Sequence, residues 1–205
     1  MGVVQVSEWN HNTHYHNLIL SILSENCGSA LDIGSGLGLF SSKLSSVFKE
    51  VYSIEPDSSS VEYSKEKYKA LKNISYITDP FIEHHFDGQK FDFISAIASV
   101  HHMDLENTLK KMKTLIKSGG SIVILGLYRE SSLIDFFISL IAILPNLFMN
   151  LRLKKNKTDN CEMITTRPMM TIGEIKNTAD KVFGEYRFKR HLFWRYSLVY
   201  EPPVN

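Results

Sequence analysis

Apolar and polar positions alternate along the chain in blocks whose period changes from helical to strand-like and back. Residues 11 to 25 place His11, Tyr15, Leu18 and Ile22 at helical spacing and predict a first helix. Ala30-Leu-Asp-Ile33 is a short apolar run ending in a glycine cluster, after which Phe40, Leu44, Val47 and Phe48 line one face of a helix. Val51 to Ile54 reads as a second strand closed by Glu55-Pro-Asp57. Asp57 and three serines are natural cap material for a helix carrying Val61, Tyr68 and Leu71. Ile74 to Thr78 predicts a third strand and Phe91 to Ala98 a fourth, apolar enough to be buried on both faces. Asp104 can cap a helix with Leu105, Leu109, Met112, Leu115 and Ile116 on one face. Gly119-Gly120 is its expected stop and Ser121 to Leu125 the fifth strand. A helix near Thr171 to Val182 leads to an aromatic-rich stretch, Glu185 to Val199, that reads as a terminal strand pair bent near Trp194.

Strands alternating with amphipathic helices at this spacing predict βαβ crossovers, hence an α/β fold with a mostly parallel sheet. The terminal pair need not be parallel. A length of 205 residues fits one domain, large enough to fold without a metal or disulfide. Lys plus Arg total 23 against 22 for Asp plus Glu, which gives no electrostatic case for a nucleic-acid partner. The two cysteines, Cys27 and Cys161, lack metal-ligand spacing and suit a reducing, cytoplasmic setting. Met1 to Trp9 carry neither a basic nor an apolar signal region, so no signal segment is expected.

The chemistry concentrates in Asp32-Ile-Gly34-Ser-Gly36-Leu-Gly38, between the first strand and its crossover helix. Ligands of open α/β folds bind at that edge of the sheet. A phosphate loop would need Gly-Lys-Ser/Thr at its end, and none is present. A dinucleotide fingerprint would need glycine at position 39, where Leu39 stands. A nucleoside pocket without a pyrophosphate is the third reading. Glu55 favours it, because a carboxylate ending the second strand can accept from both ribose hydroxyls.

These residues resemble the class I S-adenosylmethionine-dependent methyltransferases. Ala30 to Gly38 is similar to their first motif, Ser53-Ile-Glu-Pro-Asp57 to the second, and Ile77-Thr-Asp-Pro-Phe81 to the adenine-flanking third. Phe91 to His102 resembles the fourth strand and its exit, and Leu115 to Ile124 the passage into the fifth. The segments His11 to His16 and His191 to Tyr200 also look like the two ends of a bacterial subgroup. The resemblance implies a Rossmann-like, doubly wound, mostly parallel seven-stranded sheet with an antiparallel terminal strand. One domain would then span 1–205, with an N-terminal helical cap over 1–28 and a helical lid insertion over 128–168. S-adenosylmethionine is the implied cofactor and S-adenosylhomocysteine the product. Gly34 and Gly36 would line its methionine part, Asp32 would orient the ammonium directly or through water, and Glu55 would hold the ribose. Asp79 would accept from the adenine amino group, with Pro80 and Phe81 nearby, while Ala96 and Ile97 pass close to the sulfonium. Ser35 and Gly38 of the loop, Pro56 beside Glu55, and His11 and Tyr15 of the first helix complete the expected cofactor contacts.

Methyl transfer from a sulfonium needs alignment and exclusion of water, and a base only when the acceptor must lose a proton. His101, leaving the fourth strand with His102, can serve as that base or cap the next helix. His14 of the first helix is the second catalytic candidate, and His84-His85 reads as surface. Adjacent histidines diverge, so no metal site is expected.

The loop after the fourth strand, Ala98-Ser-Val-His101, lacks the proline-rich motif of nucleic-acid amino-methyltransferases, which leaves a small-molecule acceptor. From Ser131 to Leu151 the only formal charge is Asp135, and 13 of the 17 residues from Leu133 to Met149 are apolar. That run is short for a membrane span and is broken by Asp135, Pro145 and Asn146. It reads as a lid over the pocket or, with Arg152, Lys154, Lys155 and Lys157, as a membrane-surface segment over 131–157. Both imply an apolar or aromatic acceptor. Two other functions remain open: a cofactor-binding sensor or subunit without transferase activity, and a nucleotide-dependent oxidoreductase, against which Leu39 argues.

Overall fold

The computed structural model describes residues 15–21, 28–129, 169–191 and 194–203. Its elements run α1 (His16–Leu20), β1 (Ser29–Ile33), α2 (Leu39–Leu44), β2 (Glu50–Ile54), α3 (Ser58–Lys67), β3 (Ile74–Ile77) and β4 (Phe91–Ile97). A 3-10 turn at Val100–His102 leads to α4 (Leu105–Leu115) and β5 (Ile116–Leu127). Further along the chain come α5 (Ile172–Phe183), β6 (Arg187–His191) and β7 (Arg195–Tyr200).

The strands form one seven-stranded sheet in the order β3-β2-β1-β4-β5-β7-β6. The first five are parallel, and β7 pairs antiparallel with both β5 and β6. The expected Rossmann-like architecture and antiparallel end are therefore present. Strand order reverses between β1 and β4, the switch point at whose carboxyl edge ligands of open α/β folds bind.

Side-chain alternation divides the core into two layers. Leu31, Ile33, Ile94, Ala96, Ile122 and Ile124 pack with α4 and α5, whereas Ala30, Val51, Phe93, Val123 and Leu125 pack with α1 and α2. Phe91 and Phe93, two apart on one strand, join opposite layers because the β4–β5 register shifts between them.

Local chemistry accounts for the helix starts. The carboxylates of Asp57 and Asp104 accept from the Ser60 and Asn107 amides, as expected of caps. Thr171 and Glu174 form a reciprocal capping box on α5. The bend at Trp194 is a left-handed residue, φ 56°.

The end of α4 departs from expectation. The helix stops at Leu115, and Ile116 is already strand, paired with Phe91. Ile116 continues the helical apolar period, but as a β-branched residue opposite an apolar partner it fits the sheet better. Gly119 (φ +74°) and Gly120 serve the register shift instead of stopping the helix. A Cβ on Gly120 would lie 2.7 Å from the Asp92 carbonyl. Lys117 reaches back 2.9 Å to the Asp92 carboxylate, which also accepts from the Ser29 amide at 2.7 Å.

The predicted first helix is described only over His16–Leu20, where it ends on a Ser21-to-Asn17 hydrogen bond. His11 and His14 lie outside the described residues, as does the predicted lid beyond Arg129. Among the described residues no helix is long and apolar enough to cross a membrane.

Candidate functional site

The loop from β1 to α2 turns on three glycines in the left-handed region, Gly34 (φ 65°), Gly36 (φ 53°) and Gly38 (φ 73°). Gly34 shows why glycine is required. A Cβ there would stand 2.3 Å from the Ser99 Cβ, on the loop that leaves β4. Ser99 in turn donates to the Ile33 carbonyl at 2.7 Å. The glycine loop and the β4 exit are thus pressed together at the switch point.

Beneath the loop runs a buried polar ladder set by strand register. Asp32 faces Ser53 of β2 on one side and Ser95 of β4 on the other. Its two oxygens accept from Ser95 Oγ at 2.8 Å and from Ser41 Oγ at 2.6 Å. Ser53 Oγ donates onward to Ser35 Oγ at 2.8 Å, inside the loop. Burial pushes the Asp32 carboxyl up to about 6; the Ser41 and Ser95 hydrogen bonds oppose this and the Glu55 charge adds to it. Asp32 is 2% exposed. The carboxylate supports the loop from below through these serines.

Glu55 stands as expected at the end of β2. Its Oε2 accepts from the Gly36 amide at 2.9 Å and its Oε1 from the Asp57 amide at 3.1 Å. A carboxylate has about four lone-pair sites, so these two bonds aim it and leave room for two hydroxyls. Pro56 follows, exposed. Asp79 and Pro80 are exposed at the end of β3. The Asp79 carboxylate lies 2.8 Å from Nδ1 of His84. His84, expected at the surface, is therefore a half-buried partner of Asp79, because the turn after Pro80 folds it back. Its neighbour His85 is exposed.

At the exit of β4 the side chain of Ala96 is wholly buried in the α4 layer, whereas Ile97 is half-buried. Ala98 adopts φ 52°, a strained value for a residue other than glycine. The 3-10 turn then brings His101 against His102, ring centroids 4.0 Å apart. Nδ1 of His101 is buried and has no hydrogen-bond partner among the described residues. Burial, then the charges of His102 and Arg195, pull its pKa down to about 4. Burial also lowers Arg195, to about 10, which leaves it charged at neutral pH.

Tyr15 is buried with its ring 5.0 Å from that of His191. The next residue, His16, is 3% exposed and its ring lies 4.8 Å from that of Phe40 on α2. Its Nδ1 lacks a partner among the described residues, and burial, then the Lys43 charge, lowers its pKa to about 4. A cleft of about 480 Å³ between residues 84–90 and α4 contains none of these loop residues, so chemistry rather than volume locates the site.

A doubly wound sheet with a glycine cradle after β1 and carboxylates ending β2 and β3 defines a nucleoside-binding α/β protein. Residues 31–124 match a family described as a methyltransferase domain. A Dictyostelium discoideum protein named as a methyltransferase is 24% identical over 127 residues, which are 60% of this chain and 47% of that protein. The match thus spans about half of that relative's length. The fold is shared with a protein of Pyrococcus horikoshii OT3 (TM-score 0.68, 18% identity, 97% of this chain and 92% of that one). It is shared too with an S-adenosylmethionine-dependent methyltransferase from Aquifex aeolicus (TM-score 0.60, 16% identity, 90% and 88%). Over residues 31–124 the chain is thus similar to a methyltransferase domain, and its fold is that of a solved S-adenosylmethionine-dependent methyltransferase.

Proposed function

We propose that this chain, as a single domain, methylates a small, apolar or aromatic acceptor at the carboxyl edge of β4 and β5. The observation that carries the reading is the Gly36 amide on Glu55, which joins the glycine cradle and the β2 carboxylate in one preorganised arrangement. Gly34, Ser35, Gly36 and Gly38 would hold the methionine part, Glu55 and Pro56 the ribose, and Asp79 and Pro80 the adenine. When bound, the cofactor supplies a methyl group already activated by its sulfonium. The protein's share is alignment, dryness and, for a hydroxyl or amine acceptor, a place for the departing proton. The imidazole of His101 is a group at this edge suited to accept it. A ring kept unprotonated by burial and by Arg195 offers its lone pair at neutral pH, as a hydrogen-bond acceptor first and a weak base second.

The acceptor class follows from charge and patterning. A formal net charge of +1 supports a partner other than nucleic acid. The apolar residues 131–157 would close the pocket as a lid or rest on a membrane surface, and the cytoplasm is the setting inferred for the reaction.

Isothermal titration with S-adenosylhomocysteine tests the cofactor half. The intact chain should bind, and Glu55→Ala should bind about ten- to a hundredfold more weakly, as expected for charge-assisted hydrogen bonds lost. Absence of binding by the intact chain refutes the reading. Labelled methyl transfer to a panel of phenols and aromatic amines tests the acceptor half; binding without transfer to any of them would favour a sensor or subunit.

A further inference from the structure

The loop after β3 carries contacts that the glycine cradle does not require. Lys111 lies on α4, and its ammonium donates to three main-chain carbonyls of one turn: Phe81 at 2.6 Å, Ile82 at 2.9 Å and His84 at 2.6 Å. An ammonium has three N–H donors, so all of them are used on this turn. The charge also sits 5.0 Å and 5.6 Å from the ring centroids of Phe81 and Phe86. Its neighbour Lys110 makes the contrast. That side chain pairs at the surface with Glu106 on its own helix and, among the described residues, hydrogen-bonds to no other element.

The turn that Lys111 gathers begins at Pro80, whose carbonyl accepts from the Glu83 and His84 amides. His84 is held twice. Its carbonyl accepts from Lys111, and its ring Nδ1 meets Oδ2 of Asp79 at 2.8 Å. Asp79 itself is exposed and would otherwise rotate freely at the end of β3. The ammonium fixes the backbone of His84, the imidazole fixes one oxygen of Asp79, and the other oxygen is left to accept from a ligand.

We propose that Lys111 is a positioning residue for adenine recognition, aiming Asp79 through His84 at the 6-amino group. The proposal rests on the cofactor reading above, in which Asp79 accepts from that group.

The test is the ratio of dissociation constants for S-adenosylhomocysteine and S-inosylhomocysteine, whose 6-oxo group cannot donate to a carboxylate. The unmodified chain should prefer the adenosyl compound by about tenfold or more, one charge-assisted hydrogen bond's worth. Lys111→Met keeps the alkyl stem over Phe81 and Phe86 but removes the donors, and should narrow the preference to within about twofold. His84→Ala leaves the Lys111 carbonyl contacts in place and should narrow it equally, which guards against misfolding of the first variant. Lys110→Met should keep the full preference. General loosening of the loop would weaken both ligands alike and leave the ratio unmoved. A preference retained by both variants, or absent from the unmodified chain, overturns the role given to Lys111. Narrowing in Lys111→Met without narrowing in His84→Ala overturns the relay through His84. An unmodified chain that binds neither ligand overturns the cofactor reading itself, and this proposal with it.

Discussion

Replacing Asp32 by Asn removes a buried charge while keeping the shape of the side chain. Asp32 is 2% exposed, its oxygens accept from Ser41 and Ser95, and no ion pair reaches it among the described residues. Burial raises its pKa from 3.8 to about 6. The folded protein therefore holds this proton more tightly than the unfolded chain. The stability that the group contributes is complete below about pH 4 and is lost as the pH rises through about 6. At about 1.4 kcal/mol per pH unit, the ionised carboxylate subtracts about 3 kcal/mol at neutral pH. Asn has no such dependence. Urea denaturation of both proteins at fixed ionic strength isolates the effect, because titrations elsewhere cancel in the difference. Between about pH 4.5 and about 7.5 the stability difference should move by about 2 kcal/mol in favour of Asn; the rest of the change falls below that range. The exchange of an acceptor for an amide donor shifts the difference equally at every pH. A difference that stays constant across this range would refute the argument. The same variant should bind S-adenosylhomocysteine about tenfold more weakly, because Asn cannot accept from both serines and the ladder to Ser35 loses its direction.

Two further substitutions probe the switch point. Gly34→Ala combines φ +65° with a Cβ 2.3 Å from that of Ser99, and chemical denaturation should report a loss of about 2 kcal/mol or more. An unchanged midpoint would mean that the two loops are not pressed together. For His101, with a pKa lowered to about 4, kcat/KM should stay flat from neutral pH down to about pH 5 and fall below it as the ring protonates. The His101→Ala enzyme should have a lower kcat and lack this acid limb. A wild-type break near pH 6.5 would place an unshifted imidazole in the reaction instead.

The strands and helix starts were readable because each depends on residues within a few positions of one another. Asp57 and Asp104 cap the turns that follow them, and Trp194 bends the chain where the aromatic stretch divides. The end of α4 was not readable. Ile116 satisfies the helical period and the strand alike, and what decides between them is Phe91, 25 positions earlier. His84 escaped for the same reason: its exposure depends on a turn closed by Lys111 from a different helix. The serine ladder lay between these cases. Ser53 and Ser95 sit among buried apolar neighbours in their strands, and a hydroxyl at such a place needs a buried partner. The parallel register that aligns both with Asp32 was the missing piece.

The same long-range geometry explains how cofactor binding and acceptor choice can be separated along the chain. Ser99 lies 66 positions from the Ile33 carbonyl that it binds, yet this contact and the missing Cβ of Gly34 tie the β4 exit to the glycine cradle. His101 follows two residues further on, in the turn that this contact anchors. Changes near His101 would therefore disturb cofactor binding as well, and the platform has little freedom to adapt to a new acceptor. Among the described residues, β5 ends at Leu127 and the next strand is β6 from Arg187. The apolar 131–157 segment falls in that interval of the sequence. Exchanging it for another sequence should alter acceptor preference while leaving S-adenosylhomocysteine affinity within about twofold, because no residue proposed to hold the cofactor is touched. Loss of cofactor binding in such a chimera, with the fold intact, would mean that the insertion is part of the cofactor site and not only its cover.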